Sequence, residues 1–405
     1  MSKFEKMEVS NTEANPVPTY ETNVNRDSFG RSRVSNINNI FESTHVNSEQ
    51  TEFWDFKLLG GGAKTYVPQK SQIELTVGTA SGDLAMRQTM NYFHYAAGQS
   101  MIIRFTGVLG AGKASVQKGF GYVDDNNGLM FRTTDTTFEV VTRSDTSGVV
   151  VDTAISQASF NGDKLDGTGD SGFTIDLDQT QIFEINYQWL GVGDAKFYVH
   201  INGIQILLHT FHNANINNTV YMRTPHLPIR YGVRNTGITA SATTVTQICT
   251  QIANEGNAIV GDTVSSVDRD IDVKALNTTD FRPVISMRVK AGESAIIVPT
   301  SIGTLVKTSD DIIVHIYVDA VITGGTWVSD SQFVEKDVSA TAVSGGTKIG
   351  SYYISKQGRS ADQLLDSKFR LGEYIDGTKQ TITVAMKSVA TNANVLASIS
   401  FKELF

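Results

Sequence analysis

Gly107-Val-Leu-Gly110-Ala-Gly112-Lys113-Ala114 carries the glycines and the lysine of a loop that wraps a phosphate. Such a loop ends in a Ser or Thr whose hydroxyl holds magnesium, and it opens a helix whose N-terminal amides face the anion. Here the last position is Ala114, and both flanks, Met101 to Thr106 and Val116 to Val123, read as strands. The spacing predicts a hairpin turn rather than a nucleotide site. Asp163-Lys-Leu-Asp166-Gly167-Thr-Gly169-Asp170-Ser-Gly172 brings three carboxylates, Asp163, Asp166 and Asp170, into one glycine-rich loop, the hard oxygen donors that calcium takes. The twelve-residue helix-loop-helix spacing is missing and Lys164 sits among the acids, so turn formation is the first reading of these residues and calcium the second. Asp124-Asp125-Asn126-Asn127-Gly128 is a second stretch of that kind.

Of the seven histidines only His209 and His212 lie close in sequence, and three residues apart on a strand they point to opposite faces. Polar-face or interface histidines are therefore expected, with no metal. No Gly-x-Ser-x-Gly elbow occurs, and no pattern marks a pair of carboxylates with split acid and base roles. The sequence thus predicts no catalytic residues, no cofactor and no enzyme. Phe53, Trp54, Phe56, Tyr92, Phe93 and Tyr95 form an aromatic set that a sugar could stack on, but aromatics alternating along strands are more often core.

The elements that must position these residues are strands. The chain has 405 residues with 35 Gly, 7 Pro and 19% charged residues, less than the roughly 25% usual in soluble domains. Such a composition suits many short strands joined by turns. The net charge of −8 argues against a nucleic-acid grip, the single cysteine, Cys249, excludes an intrachain disulfide, and no apolar run is long enough to predict a membrane span. Residues 1–50 show no apolar periodicity and read as an extended arm. Between 51 and 256 alternation recurs, as in Ile73, Leu75 and Val77 or Phe183, Ile185, Tyr187 and Trp189. Phe197 to Ile201 and Ile204 to Leu208 flank Asn202-Gly203, the strongest hairpin signal, which pairs Ile201 with Ile204, Val199 with Ile206 and Phe197 with Leu208. The opposite face, with Lys196, Tyr198, His200, Gln205 and His209, is expected to be wet. Residues 257–280 read as a linker, strands return over 281–405, and Ser360 with Gln363 predicts a capped helix over 361–369. The expected fold is all-β: two tandem antiparallel β-sandwiches, jelly-roll-like, preceded by an extended N-terminal arm.

A series of blocks adds a resemblance. Phe29-Gly-Arg31-Ser-Arg33-Val-Ser35, Ile40-Phe41-Glu-Ser43, Phe53-Trp-Asp55, Met86-Arg-Gln88 with Tyr92-Phe93, and Gly121-Tyr-Val-Asp-Asp-Asn-Asn-Gly128 come first. Asp163 to Gly169, Trp189-Leu-Gly-Val-Gly193, Phe211-His-Asn-Ala-Asn215 and Met222-Arg-Thr-Pro225 follow. Together they resemble β-rich virion structural proteins of tailed bacteriophages over about residues 29–256; in the second region the likeness is looser. The resemblance implies a virion component with no catalytic residues to carry over, without separating head decoration, head fibre and tail appendage. It implies other virion proteins as partners and a homo-oligomer, a trimer favoured, with the arm (Phe29, Arg31, Arg33, Phe41) docking onto the particle. Tyr187 to Gly193 followed by Asn202-Gly203 is also similar to lectin-type jelly rolls of the concanavalin sort. That raises a second function, a host-glycan adhesin, for which Tyr198, His200, His209 and Asn213 are the candidate face.

Overall fold

The computed structural model describes residues 37–256, 262–293, 295–308, 310–356, 360–365 and 369–404. Phe29, Arg31 and Arg33 lie outside the described residues. The first fifteen strands are β1 Ile37–Thr44, β2 Trp54–Leu59, β3 Ala63–Val67, β4 Gln72–Val77, β5 Leu84–Thr89, β6 Met101–Val108, β7 Val116–Val123, β8 Gly128–Thr134, β9 Thr137–Ser144, β10 Val151–Ser156, β11 Gln181–Tyr187, β12 Ala195–Ile201, β13 Ile204–Phe211, β14 Ile229–Asn235 and β15 Thr243–Glu255. They form two antiparallel sheets. One runs β13-β12-β11-β6-β15-β4-β3 with β1 added to β15, and the other runs β10-β9-β8-β7-β14-β5-β2.

Between these sheets lies an aromatic core. Phe105 and Phe183 on one sheet meet Phe120 and Phe131 on the other, with ring centroids 5.4 Å (Phe105–Phe120), 5.1 Å (Phe120–Phe183) and 4.8 Å (Phe131–Phe183) apart. Each such pair adds about 0.5–1.5 kcal/mol beyond the area it buries. Trp54, Phe93 and Tyr95 are buried here too, so half of the aromatic set is core; Phe53 is exposed, Phe56 half-buried, and Tyr92 packs on Ile296, Val298 and Leu404.

The remaining strands are β16 Asp262–Asp268, β17 Lys274–Ala275, β18 Arg282–Val289, β19 Ile296–Val306, β20 Ile312–Val318, β21 Val321–Thr323, β22 Val328–Ser329, β23 Val334–Asp337, β24 Ala342–Ser344, β25 Thr347–Ile354, β26 Ser360–Leu364, β27 Thr381–Ser388 and β28 Asn394–Leu404. They build a sheet β16-β28-β19-β26, with β17 on β28, and a sheet β22-β23-β18-β27-β20-β25, plus the ribbon β21-β24. Their core is aliphatic, set by Ile312, Val314 and Ile316 against Ile382, Val384 and Met386. Pro283 and Pro299 sit inside strands, each beside a register shift, where a missing ladder donor is tolerated.

The fold is all-β, as the composition predicts, with five corrections. The expected arm is too long, because residues 37–44 are a strand and Phe41 packs on Phe53, Trp54 and Phe93. The expected linker contains β16 and β17, both paired to the last strand of the chain, a long-range partner invisible in local periodicity. The expected helix over 361–369 is replaced at its start by β26, paired to β19, so sheet pairing overrides the capping pattern. The glycine-rich stretch 107–114 is no hairpin, since β6 and β7 belong to different sheets and the loop crosses between them. Finally, the β12–β13 hairpin keeps Ile201 opposite Ile204 and Val199 opposite Ile206, with Asn202 and Gly203 both at positive φ. A bulge then shifts the register, so Phe197 faces His209 instead of Leu208.

Candidate functional site

On the outward face of the first sheet, β11 places Glu184 in the centre. Its carboxylate accepts from Arg104 Nε (2.8 Å, β6), His200 Nε2 (3.1 Å, β12) and Gln205 Nε2 (2.7 Å, β13), and Arg104 also donates to Gln251 on β15 at 3.0 Å. The ladder spans five adjacent strands and commits its polar groups to one another. His200 is therefore half-buried against a carboxylate, and Tyr198 is buried.

The bulge turns His209 inward, between Phe160 and Phe211, where its Nδ1 accepts the Asn161 amide at 3.2 Å. Burial lowers its pKa to about 4, assisted by His212. Asn213 is buried as well, donating to Gly193 O at 2.6 Å and accepting from Asn217 at 3.0 Å. The structure does not bring Tyr198, His200, His209 and Asn213 together as one wet face. His212 lies outside, 3.2 Å from Asp194.

The acidic loop closes on itself. Asp163 accepts the amides of Leu165 (2.8 Å) and Ser171 (2.7 Å), while Asp166 accepts the amide and hydroxyl of Thr168. A Cβ at Gly169 would come within 2.3 Å of the Asp163 carboxylate, so glycine is what allows that closure. Burial opposes the charged form of Asp163, but these amide bonds outweigh it and leave its pKa below the ordinary value. Among the described residues no cluster of three His, Cys, Asp or Glu side chains is arranged to hold a metal. Asp124 plays the same part in the β7–β8 turn, accepting the amides of Asn126 and Asn127 at 2.7 Å. Lys113 of the phosphate-loop look-alike is tied to the hydroxyls of Ser241 and Thr243.

Two arrangements escaped the sequence reading. The first is buried. Arg87 on β5 is fully enclosed, donating to His45 Nε2 (2.7 Å), Gln247 Oε1 (2.5 Å) and the carbonyl of Glu49, with its guanidinium 4.5 Å from the Trp54 ring. An arginine only donates, and His45 Nδ1 faces the carbonyl of Ile248 at 2.7 Å, so His45 must be neutral with its proton on Nδ1. Burial holds its pKa at about 4, and the Arg87 charge adds to that. This network ties the segment after β1 to both sheets.

The second is open. Along the outward face of the other sheet, large and absent side chains alternate: Gly119 on β7 pairs with Gly232 on β14, flanked across the ladder by Arg132 on β8 and Met86 on β5. The result is a trench of about 140 Å³ whose lining includes Met86, Met130, Arg132, Arg143, Arg230 and Arg234. Arg132 pairs with Glu139 and Asp152 (both 2.5 Å), Arg143 with Asp152 (2.8 Å), and Arg230 with Asp125 (2.6 Å) and Gln88. Lys118-Gly-Phe-Gly-Tyr122 and Arg230-Tyr-Gly-Val-Arg234 carried the signal, with every second residue large and the ones between glycine or arginine.

No protein-family model and no curated protein matches the sequence. Among solved structures, the chain is similar to a Bacillus licheniformis β-glucanase (12% identity, 54% of this chain, 98% of that one, TM-score 0.33). It is also similar to a glycosyl hydrolase family protein from Mycobacterium fortuitum (11%, 53% and 100%, 0.34). A legume lectin-like domain from Entamoeba histolytica stands alike (8%, 54% and 98%, 0.33). Similarities of this size carry no argument about activity.

Proposed function

We propose that the protein is a structural component of a tailed-bacteriophage virion: an oligomeric head-decoration, head-fibre or tail-appendage protein, a trimer favoured, attached through residues 1–36. The observation that carries this reading is where the resembling blocks fall. They supply Arg87, which anchors the segment after β1, and Tyr122, whose hydroxyl donates to Pro225 O at 2.9 Å and accepts the Leu227 amide at 3.1 Å. They also supply Trp189, which donates to Met222 O at 3.0 Å, and Asn213. These are side chains that hold crossings and loops in place, what a scaffold must retain.

Sheet edges add support. β16, β25 and β26 are terminal strands and expose Val264 (73%), Tyr353 (78%) and Leu364 (77%). Open edges with apolar side chains are what packing against further copies would cover.

The test is deletion of residues 1–36, stopping short of β1. The truncated protein should keep its melting temperature and be lost from purified particles. Incorporation at wild-type occupancy would overturn attachment through this segment. Release of reducing ends from host capsule or lipopolysaccharide by the purified protein would count against a purely structural role.

A further inference from the structure

The trench on the outward face of the second sheet has a specific construction. Glycine at 232 is demanded by neither backbone nor packing. Its φ lies outside the left-handed region, and a Cβ there would meet nothing closer than 3.7 Å. What the missing side chain leaves, with Gly119 opposite, is depth between Met86 and Arg132. A space of about 140 Å³ is the size that one six-membered ring fills.

The charges around it are unequal. The lining carries Lys118, Arg132, Arg143, Arg230 and Arg234 against one carboxylate, Asp125, while Glu139 and Asp152 pair with Arg132 and Arg143 from outside the lining. Arg234 is exposed, and its side chain makes no ion pair or hydrogen bond among the described residues. Its pKa is lowered, first by desolvation and then by the charges of Arg143 and Arg132, with Asp152 acting the other way, so its guanidinium stands without a partner of its own beside two that are ion-paired. An arginine of this kind offers a planar fork that fits a carboxylate. Beside it, Asp125 provides an acceptor for hydroxyls, and Met86 and Met130 give the floor an apolar surface. A neighbouring acceptor suits a polyhydroxylated ring and disfavours inorganic sulfate, whose every oxygen is an acceptor.

We propose that this trench binds the carboxylate-bearing ring of an acidic sugar, a hexuronate residue of a glycan, with Arg234 taking the carboxylate. The site stands independently of where the protein sits in a particle, and on a different sheet from the face formed by His200 and Tyr198.

Calorimetric titration of the full chain with D-glucuronate and with a short oligouronate tests it, with D-glucose, inorganic sulfate, inorganic phosphate and a glutamate-rich peptide as comparisons. Uronate should bind at least about tenfold more tightly than any of these, because one charge-assisted contact is worth that much. Arg234→Gln and Gly232→Leu should each weaken uronate at least about tenfold while melting temperatures stay unchanged; Leu at 232 fills the trench without touching the arginines' ion pairs. Absence of uronate binding, equal or tighter binding of glucose, sulfate, phosphate or the acidic peptide, or wild-type affinity in Arg234→Gln would each overturn the proposal.

Discussion

The two sandwiches solve the same packing problem with different residues. Among the described residues, the first core buries Trp54, eight phenylalanines from Phe93 to Phe197, and the tyrosines Tyr95, Tyr122, Tyr187, Tyr221 and Tyr231; the second buries one aromatic, Phe401, among valines and isoleucines. Aliphatic cores need only cross-strand neighbours. Aromatic ones bring polar handles, and here one handle ties sheet to sheet and another holds a loop: Tyr231 of β14 shares a 2.8 Å hydrogen bond with Thr250 of β15, and Tyr187 donates to Pro225 O at 3.0 Å. The outward trench belongs to the sandwich built this way, whose loops and strands are fixed from within.

The contrast breaks most visibly at Phe120, which meets Phe105, Phe131, Phe183 and Tyr231. Phe120→Ala should cost about 3–5 kcal/mol. Hydrogen exchange followed peptide by peptide should show faster exchange over 54–252 and none over 267–401. Equal acceleration in both would mean that the sandwiches unfold as one unit.

Acid should separate them next. His45, His94 and His209, all in the first sandwich, have pKa values lowered to about 4, chiefly by burial, from 6.5 in the unfolded chain. The unfolded state therefore binds more protons between these values, so stability is full above about pH 6.5 and falls as pH drops toward 4. The second sandwich has one such group, His315, lowered by burial and by Lys348 and Lys387. Melting followed between pH 7 and 4 should show the first sandwich losing stability sooner.

A smaller effect is expected where the two meet. Asp55 of β2 accepts the Ile375 amide at 2.9 Å, and the carbonyl of Met90 accepts the Glu373 amide. Asp55→Ala should remove about 1–3 kcal/mol of coupling, seen as two melting steps moving apart. The smallest change is Ile316→Val, expected to cost about 0.5–1.5 kcal/mol in the aliphatic core and to leave the first sandwich's exchange untouched.

Where period and turn chemistry are local, the sequence reading holds: Phe183 to Tyr187 is a strand, and Asn202-Gly203 makes its turn. It fails where the deciding partner is distant. Nothing near Ile37 announces pairing with Glu255, and nothing near Asp268 announces Ser398. Ser360 and Gln363 have helical capping chemistry, yet β19 claims the segment. One bulged residue at Leu208 moved His209 from the expected wet face into the interior, which removed the candidate glycan face. The trench was written in alternating glycine and arginine, but only the register places Gly119 beside Gly232.

The central claim, a virion structural role, is tested most directly by imaging intact particles made in cells that produce this chain, with the protein tagged at its C-terminus. The account predicts label at regular, symmetry-related positions on the particle surface, and its loss when residues 1–36 are deleted. Particles free of the protein, with the label remaining among soluble proteins, would contradict it.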